Sequence, residues 1–374
     1  MERIYSLESL RGLLALWVVV GHTIKHAGYS ASSIGPFKLL AMPNLAVDVF
    51  IILSGFVIFF LLDNQRVSYA QFIVKRWFRI APLLLVLMLV SALTLQAQSS
   101  VIAGSPFPNS ATAADLQIHA DSIAQLGPHL LAHASMLHGQ IPDAVLPNSQ
   151  FAIVGQAWSI SLEWQFYLLA PLLFGLLATR RWYLLCLAIA AICALRAVNL
   201  PNDGLIVNQA QYFIVGILSY YGWKHCRTLK VEAGALDALA MAAIALIYLL
   251  LSRSASLIIW TLIMVLIVGE RRALPGKPLR ALSALLHLAP MRWLGEISYS
   301  LYLTHMLVLY AVQFILVTLA PGLSQPAFLA AMLAGVIGVT IALSALTYRL
   351  VEQPGVALGR RLGAWFQARR LAHT

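Results

Sequence analysis

The sequence predicts an all-α protein, a polytopic transmembrane helical bundle of about ten spans with both termini cytoplasmic. Three observations predict it. First, 60% of the 374 residues are apolar and only 10% are charged, against about 45–50% and about 25% in soluble domains. The mean hydropathy of +0.82 agrees. Second, the apolar residues form long unbroken runs, not the short alternating segments of a β-barrel. Third, the basic residues are segregated by loop. This composition excludes a cytosolic enzyme, a secreted disulfide scaffold and a disordered regulator.

Spans of about 20 apolar residues centre on residues 8–24, 45–62, 79–97, 156–178, 182–199, 207–222, 236–252, 255–270, 293–319 and 327–350. Arg196, Asn199, Pro201 and Asp203 interrupt the stretch 182–222. The first segment carries Arg11 and His22 and no small-residue cleavage site, so it reads as a span and not a signal peptide. With the N-terminus inside, 21 of the 25 Lys and Arg fall in cytoplasmic segments, and Lys25, Lys38, Arg196 and Arg253 stay outside. The stretch 80–179 has no Lys or Arg. It includes an outer loop at about 98–155, too long to be a simple connection. Residues 1–374 read as one membrane domain.

The net charge of +11 suits anionic lipid headgroups. No basic segment is large enough to dock a duplex, so nucleic acid is not an expected partner. Cys186, Cys193 and Cys226 form neither a disulfide framework nor a zinc spacing. His129 and His133 have the i,i+4 spacing of a metal pair, but no third ligand follows at a suitable spacing, and no metal is expected.

Ionisable residues inside spans are costly and mark function by default. Arg11 and His22 are eleven residues apart, which is about 20° past three full turns, so they share a helix face roughly 16 Å apart. Asp48 opens the second span, and Glu163 lies about 7 residues into the fourth. His22, Asp48 and Glu163 fall at similar depth in the outer half. A carboxylate beside an imidazole raises its basicity and fixes its tautomer, which is general-base equipment. The same three groups would also serve as a buried structural triad. Arg76 and Arg79 are neighbours at the cytoplasmic end of the third span; they suit a phosphate clamp or ordinary anchoring. Ser298 to His305 puts Tyr302 and His305 on one face, and with Trp158 and Ser54 they are expected to line a polar cavity. Ser54-Gly55 also suits close helix packing. Tyr348, Arg349 and Glu352 read as an ionisable cap at the inner surface, with Pro354 stopping the helix.

Taken together, these residues resemble the acyltransferase-3 family of integral membrane acyltransferases. The resemblance rests on Leu7-Glu8-Ser9-Leu10-Arg11-Gly12 with His22, Val47-Asp48-Val49-Phe50 through Leu53-Ser54-Gly55-Phe56, and Arg76-x-x-Arg79. It rests equally on Trp158-Ser159 to Glu163 to Phe166-Tyr167, Ser298 through His305, and Glu352-Gln353-Pro354. It implies a bacterial inner-membrane enzyme that moves an acyl group, commonly acetyl from acetyl-CoA, to a hydroxyl of a glycan or lipid-linked saccharide. By the same resemblance Arg11 and His22 form an essential pair, Arg76 and Arg79 bind the donor, and Glu163 is a functional acid.

The expected reaction runs through the bilayer. Arg76 and Arg79, with Arg11 and Lys75, hold the coenzyme phosphates. His22 takes the acceptor proton or carries the acyl group, and Asp48 or Glu163 orients it. A proton-coupled transporter of a sugar or small solute is the alternative for such a polar seam; no paired inverted repeat supports it.

Overall fold

In a computed structural model, residues 4–65, 67–179, 181–198, 202–226, 255–270 and 277–372 are described. Among them all regular structure is helical. The elements are α1 (Tyr5–His26), α2 (Pro43–Asn64), α3 (Tyr69–Ala103), α4 (Thr112–Ala124), α5 (Leu126–Ala134), α6 (Trp158–Ala178), α7 (Trp182–Ala197) and α8 (Ile206–Cys226). They continue as α9 (Ala255–Gly269), α10 (Lys277–Leu286), α11 (Ala289–Glu296), α12 (Ser298–Leu319), α13 (Gln325–Thr347), a π-helical turn (Tyr348–Glu352) and α14 (Gln353–Ala372).

Six described helices are long and apolar enough to cross a bilayer: α1, α2, α3, residues 155–178, α12, and residues 325–366. Ten spans are not reached among the described residues. The expected span at 236–252 lies outside them. Helix α9 has 15 residues and α7 has 16, about 24 Å at 1.5 Å per residue against a hydrocarbon core of about 30 Å. Helix α8 carries Asn208, Gln209 and Gln211 in its first half.

The structure corrects four further expectations. Helix α3 runs 35 residues, well beyond 79–97, because Ser68 and Gln71 form a reciprocal capping box at its start. The expected outer loop is largely helical and includes α4 and α5. Pro354 does not stop the last helix. It is the second residue of α14, where its missing N–H costs little, and the π turn before it accommodates the ring. The expected span at 293–319 also breaks at Ile297, between α11 and α12.

The chain divides into two compact units. The first comprises Met1–Val18, Pro43–Asn64 and Gln211–Ser298. Its centre is the crossing of α2 and α8. A Cβ on Gly55 would meet the Phe213 carbonyl at 2.5 Å, and one on Gly216 would meet the Gly55 Cα at 3.0 Å. In lipid, helices associate through such close backbone approach, because lipid tails are as apolar as leucine. Phe56 packs edge-on against Tyr220, Trp223 and Trp260 beside the crossing. Asp63 at the end of α2 pairs with Lys224 at 2.5 Å and accepts from Tyr220. Glu270 accepts from Ser6 at 2.5 Å and Ser283 at 2.9 Å.

The second unit comprises Val19–Met42, Gln65–Ala210 and Tyr299–Thr374. Helix α3 is its axis. Helix α14 runs along it: a Cβ on Gly355 would meet the Phe78 carbonyl at 2.8 Å, and Gln71 Nε2 donates to the Gly363 carbonyl at 2.8 Å. Helix α6 and the π turn also pack on α3. Ile80, Leu83, Leu84, Phe166, Tyr167, Leu301 and Leu303 are buried around this axis.

Candidate active site

The second unit gathers most of the candidate residues. Helix α1 is unbroken from Tyr5 to His26, so Arg11 and His22 ride on one helix as their spacing predicts. The His22 ring lies 5.3 Å from the ring of His305, tilted by 41°. His22 keeps partial exposure, while its Nδ1 is buried with no hydrogen-bond partner among the described residues. His305 is fully buried, and its Nδ1 stands 2.6 Å from the Tyr302 carbonyl. A carbonyl only accepts, so His305 carries its proton on Nδ1 and leaves a lone pair on Nε2. That Nε2 is also buried without a partner among the described residues.

A polar seam leads away from this pair along α12. The Tyr302 hydroxyl bonds the Ser159 hydroxyl at 2.7 Å and donates to the Gln156 carbonyl at 2.9 Å. Gln156 Nε2 donates to the Leu303 carbonyl at 2.6 Å, locking the start of α6 to α12. One turn before Tyr302, Tyr299 donates to the Ile80 carbonyl at 2.5 Å, and Ser300 donates to Glu352 at 3.0 Å. Glu352 is 1% exposed, so this carboxylate is turned into the bundle and is no surface cap.

Arg79 lies within electrostatic reach of the Glu352 and Glu163 carboxylates, with the Tyr167 and Tyr299 hydroxyls nearby. Arg76 lies between two rings, its guanidinium carbon 5.5 Å from Phe72 and 5.6 Å from Tyr167. Such stacking holds a planar cation in place. Tyr167 donates to Glu163 one turn earlier on α6. From Tyr299 to His305 is six residues, about 9 Å along the helix. The guanidinium layer and the imidazole layer are thus consecutive levels of one seam.

Asp48 belongs to the first unit, where it accepts from Ser256 at 3.1 Å. Ser54 and Arg11 lie in that unit too, Ser54 beside the Gly55 crossing. The ring beside His22 is that of His305, and Glu163 is engaged by Tyr167 at the guanidinium layer. Trp158 begins α6 one residue before Ser159 and is half-buried. Tyr167, Glu352 and Tyr299 were not singled out as site residues from sequence. Tyr167 had a usable signal, standing four residues after Glu163 on the same helix face.

The histidines of 112–138 do not converge on a metal. His133 Nδ1 donates to the His129 carbonyl at 3.0 Å, and its ring stacks on His138 at 3.9 Å and 8°. No three ligand-type side chains group for a metal among the described residues.

A family model described as an acyltransferase domain matches residues 4–347. The chain belongs to this acyltransferase-3 family. The exopolysaccharide production protein ExoZ of Rhizobium meliloti (strain 1021) is 27% identical over 324 residues, covering 84% of this chain and 90% of that protein. No solved structure matches the chain. Within this acyltransferase-3 protein, the matched region contains α1 through α13 and hence the His22 to Arg79 seam; Glu352, its buried acid, stands just beyond the match.

Proposed function

We propose that the protein is a membrane O-acyltransferase that moves an acetyl group from acetyl-CoA to a hydroxyl of a glycan or lipid-linked saccharide. The observation that carries this reading is the seam in the second unit, with Arg76 and Arg79 toward one end and the partly exposed His22 ring against His305 toward the other. Family membership and the similarity to an exopolysaccharide production protein support it.

Arg76 and Arg79 suit a polyanionic donor. Both are cations held by aromatic rings or carboxylates, and guanidinium forks match phosphate oxygens. The thioester then points along α12 toward His22. His22 takes the proton of the acceptor hydroxyl as its oxygen attacks the thioester carbonyl. The new C–O bond forms, the C–S bond breaks, and the thiolate leaves with the proton that His22 returns. His305 is a positioning residue. Its tautomer is fixed through Tyr302, and it holds the His22 ring by contact. In this reading the enzyme sits in the bacterial inner membrane, with the donor on the cytoplasmic side.

The test is a proteoliposome assay with acetyl-labelled acetyl-CoA and a polysaccharide acceptor on the opposite side. The expected result is protein-dependent label on the glycan. Movement of an unmodified sugar with no labelled product would replace this reading with transport.

A further inference from the structure

The reaction leaves one buried polar group of the seam unused. Gln156 is 6% exposed, and its side-chain amide is held at one end only. Nε2 donates to the Leu303 carbonyl at 2.6 Å, while Oε1 is buried with no hydrogen-bond partner among the described residues. An amide oxygen shut away from water without a donor is costly, so it calls for one. Measured contacts join Gln156 to the imidazole pair. Its backbone carbonyl accepts from the Tyr302 hydroxyl at 2.9 Å. The Tyr302 ring lies 6.0 Å from the ring of His305, which lies 5.3 Å from that of His22.

The backbone just before Gln156 is strained and pinned. Ile153 has a φ of +55°, a region that a β-branched residue rarely enters. The Val154 N–H donates to the Ala152 carbonyl at 2.5 Å and closes a three-residue turn about Ile153. Two buried serines hold this turn from neighbouring helices. Ser91 of α3 donates to the Ile153 carbonyl, and Ser122 of α4 accepts from the Ile153 N–H at 3.4 Å. Strain of this kind persists only where the surroundings over-determine it, and it collects at sites that are held ready for a ligand. The turn feeds directly into the short 3₁₀ segment Gly155–Ala157 that carries Gln156.

Gln156 meets α12 at Leu303, four residues after Tyr299 and two before His305, about 3 Å short of His305 along the helix. It stands on the guanidinium side of the imidazole pair, where the donor arrives, and not on the exposed side of His22. A coenzyme A thioester carries a secondary amide two methylenes from its sulfur. With the acyl carbonyl at His22, that amide trails toward Leu303, and its N–H is the kind of donor that Oε1 lacks. We infer that Gln156 is a specificity-determining residue for the acyl donor: its Oε1 accepts from the amide N–H nearest the thioester and so sets the acyl carbonyl in front of His22. The inference rests on the acyl-transfer reading and adds to it a named residue and the atom that residue selects.

The test compares two donors on the full-length protein in proteoliposomes. One is acetyl-CoA, and the other is its analogue with an ester oxygen in place of that amide nitrogen, which removes the N–H and keeps the shape. The wild-type protein is expected to use the ester donor about tenfold less efficiently in kcat/KM. Gln156→Met keeps the length of the side chain and loses the acceptor. It is expected to lose about tenfold with acetyl-CoA and to use the two donors within about twofold of each other. The ratio between donors is taken within each protein, so a merely structural role for Gln156 would lower both rates and leave the ratio in place. Equal use of the two donors by the wild-type protein would overturn the inference, and needs no variant to fold. A tenfold preference that survives in Gln156→Met would also overturn it, because another group would then read the amide. In both cases acyl transfer itself would stand. Label moved from neither donor would overturn the acyl-transfer reading and this inference with it.

Discussion

Among the described residues the second unit holds two pairs of histidine rings, and they differ in packing and in exposure. His133 and His138 stack face to face at 3.9 Å, and both are completely buried. His22 and His305 meet at 5.3 Å and 41°, and His22 keeps access while His305 is sealed behind it. A sealed stack has nowhere to take a proton from. A tilted pair with one accessible ring, at the end of a polar seam, can receive a hydroxyl. Sequence spacing sets His133 beside His129 and His305 beside Tyr302, and predicts neither of these ring pairs. Exposure and the levels of α12 separate them.

The difference can be sharpened from the seam's far end. If the imidazole pair is fed from the guanidinium layer, Arg79→Ala is expected to raise the acetyl-CoA concentration at half-maximal rate about ten- to hundredfold. Steady-state kinetics at saturating acceptor would check it. An unchanged donor dependence would disconnect the two layers. Next in size, His305→Gln is expected to lower the maximal rate about tenfold and to displace the pH–rate profile. A purely structural role for His305 would lower the amount of folded enzyme and leave the profile in place. Tyr302→Phe removes the hydroxyl shared with Ser159 and the Gln156 carbonyl, and a rate loss of about fivefold is expected.

The sealed pair makes the opposite prediction. Burial pushes His133 down to about 4 and holds His138 well below the usual imidazole range. The unfolded chain therefore binds protons below about pH 6.5 that the folded protein refuses. Stability is full above that pH and falls as pH drops toward 4, by up to about 3 kcal/mol for His133. His133→Phe keeps a stacked ring without the charge and is expected to lessen the fall in thermal stability between pH 7 and pH 5, leaving the share that His138 contributes. Transfer activity at pH 7 per folded molecule is expected to stay within about twofold. A large loss of turnover would mean that this pair is not separate from the chemistry.

Much of this was legible in the sequence because it is periodic or costly. Arg11 and His22 on one helix face, the Arg76/Arg79 pair and the Tyr302/His305 face all follow from helical geometry. Ionisable groups in apolar runs announce themselves. What escaped depends on which helices are neighbours. Nothing local ties His305 to His22, 283 positions away, and the paired carboxylate expected beside His22 was an inference from depth alone. Glu352 read as a surface cap because Pro354 looked like a stop; the π turn carries the helix on and rotates that carboxylate inward. The stretch 98–155 read as loop because its buried histidines and serines look polar, yet several of them bond helix carbonyls, as His119 does on Asp115, Ser122 on Ile118 and His133 on His129.

The most direct measurement replaces His22 itself. Single-turnover transfer of labelled acetyl from acetyl-CoA to glycan, in proteoliposomes carrying His22→Ala or His22→Gln with folding matched by thermal melting, is expected to fall by about 10²- to 10⁴-fold. Transfer at the wild-type rate from a folded His22→Ala protein would contradict the account.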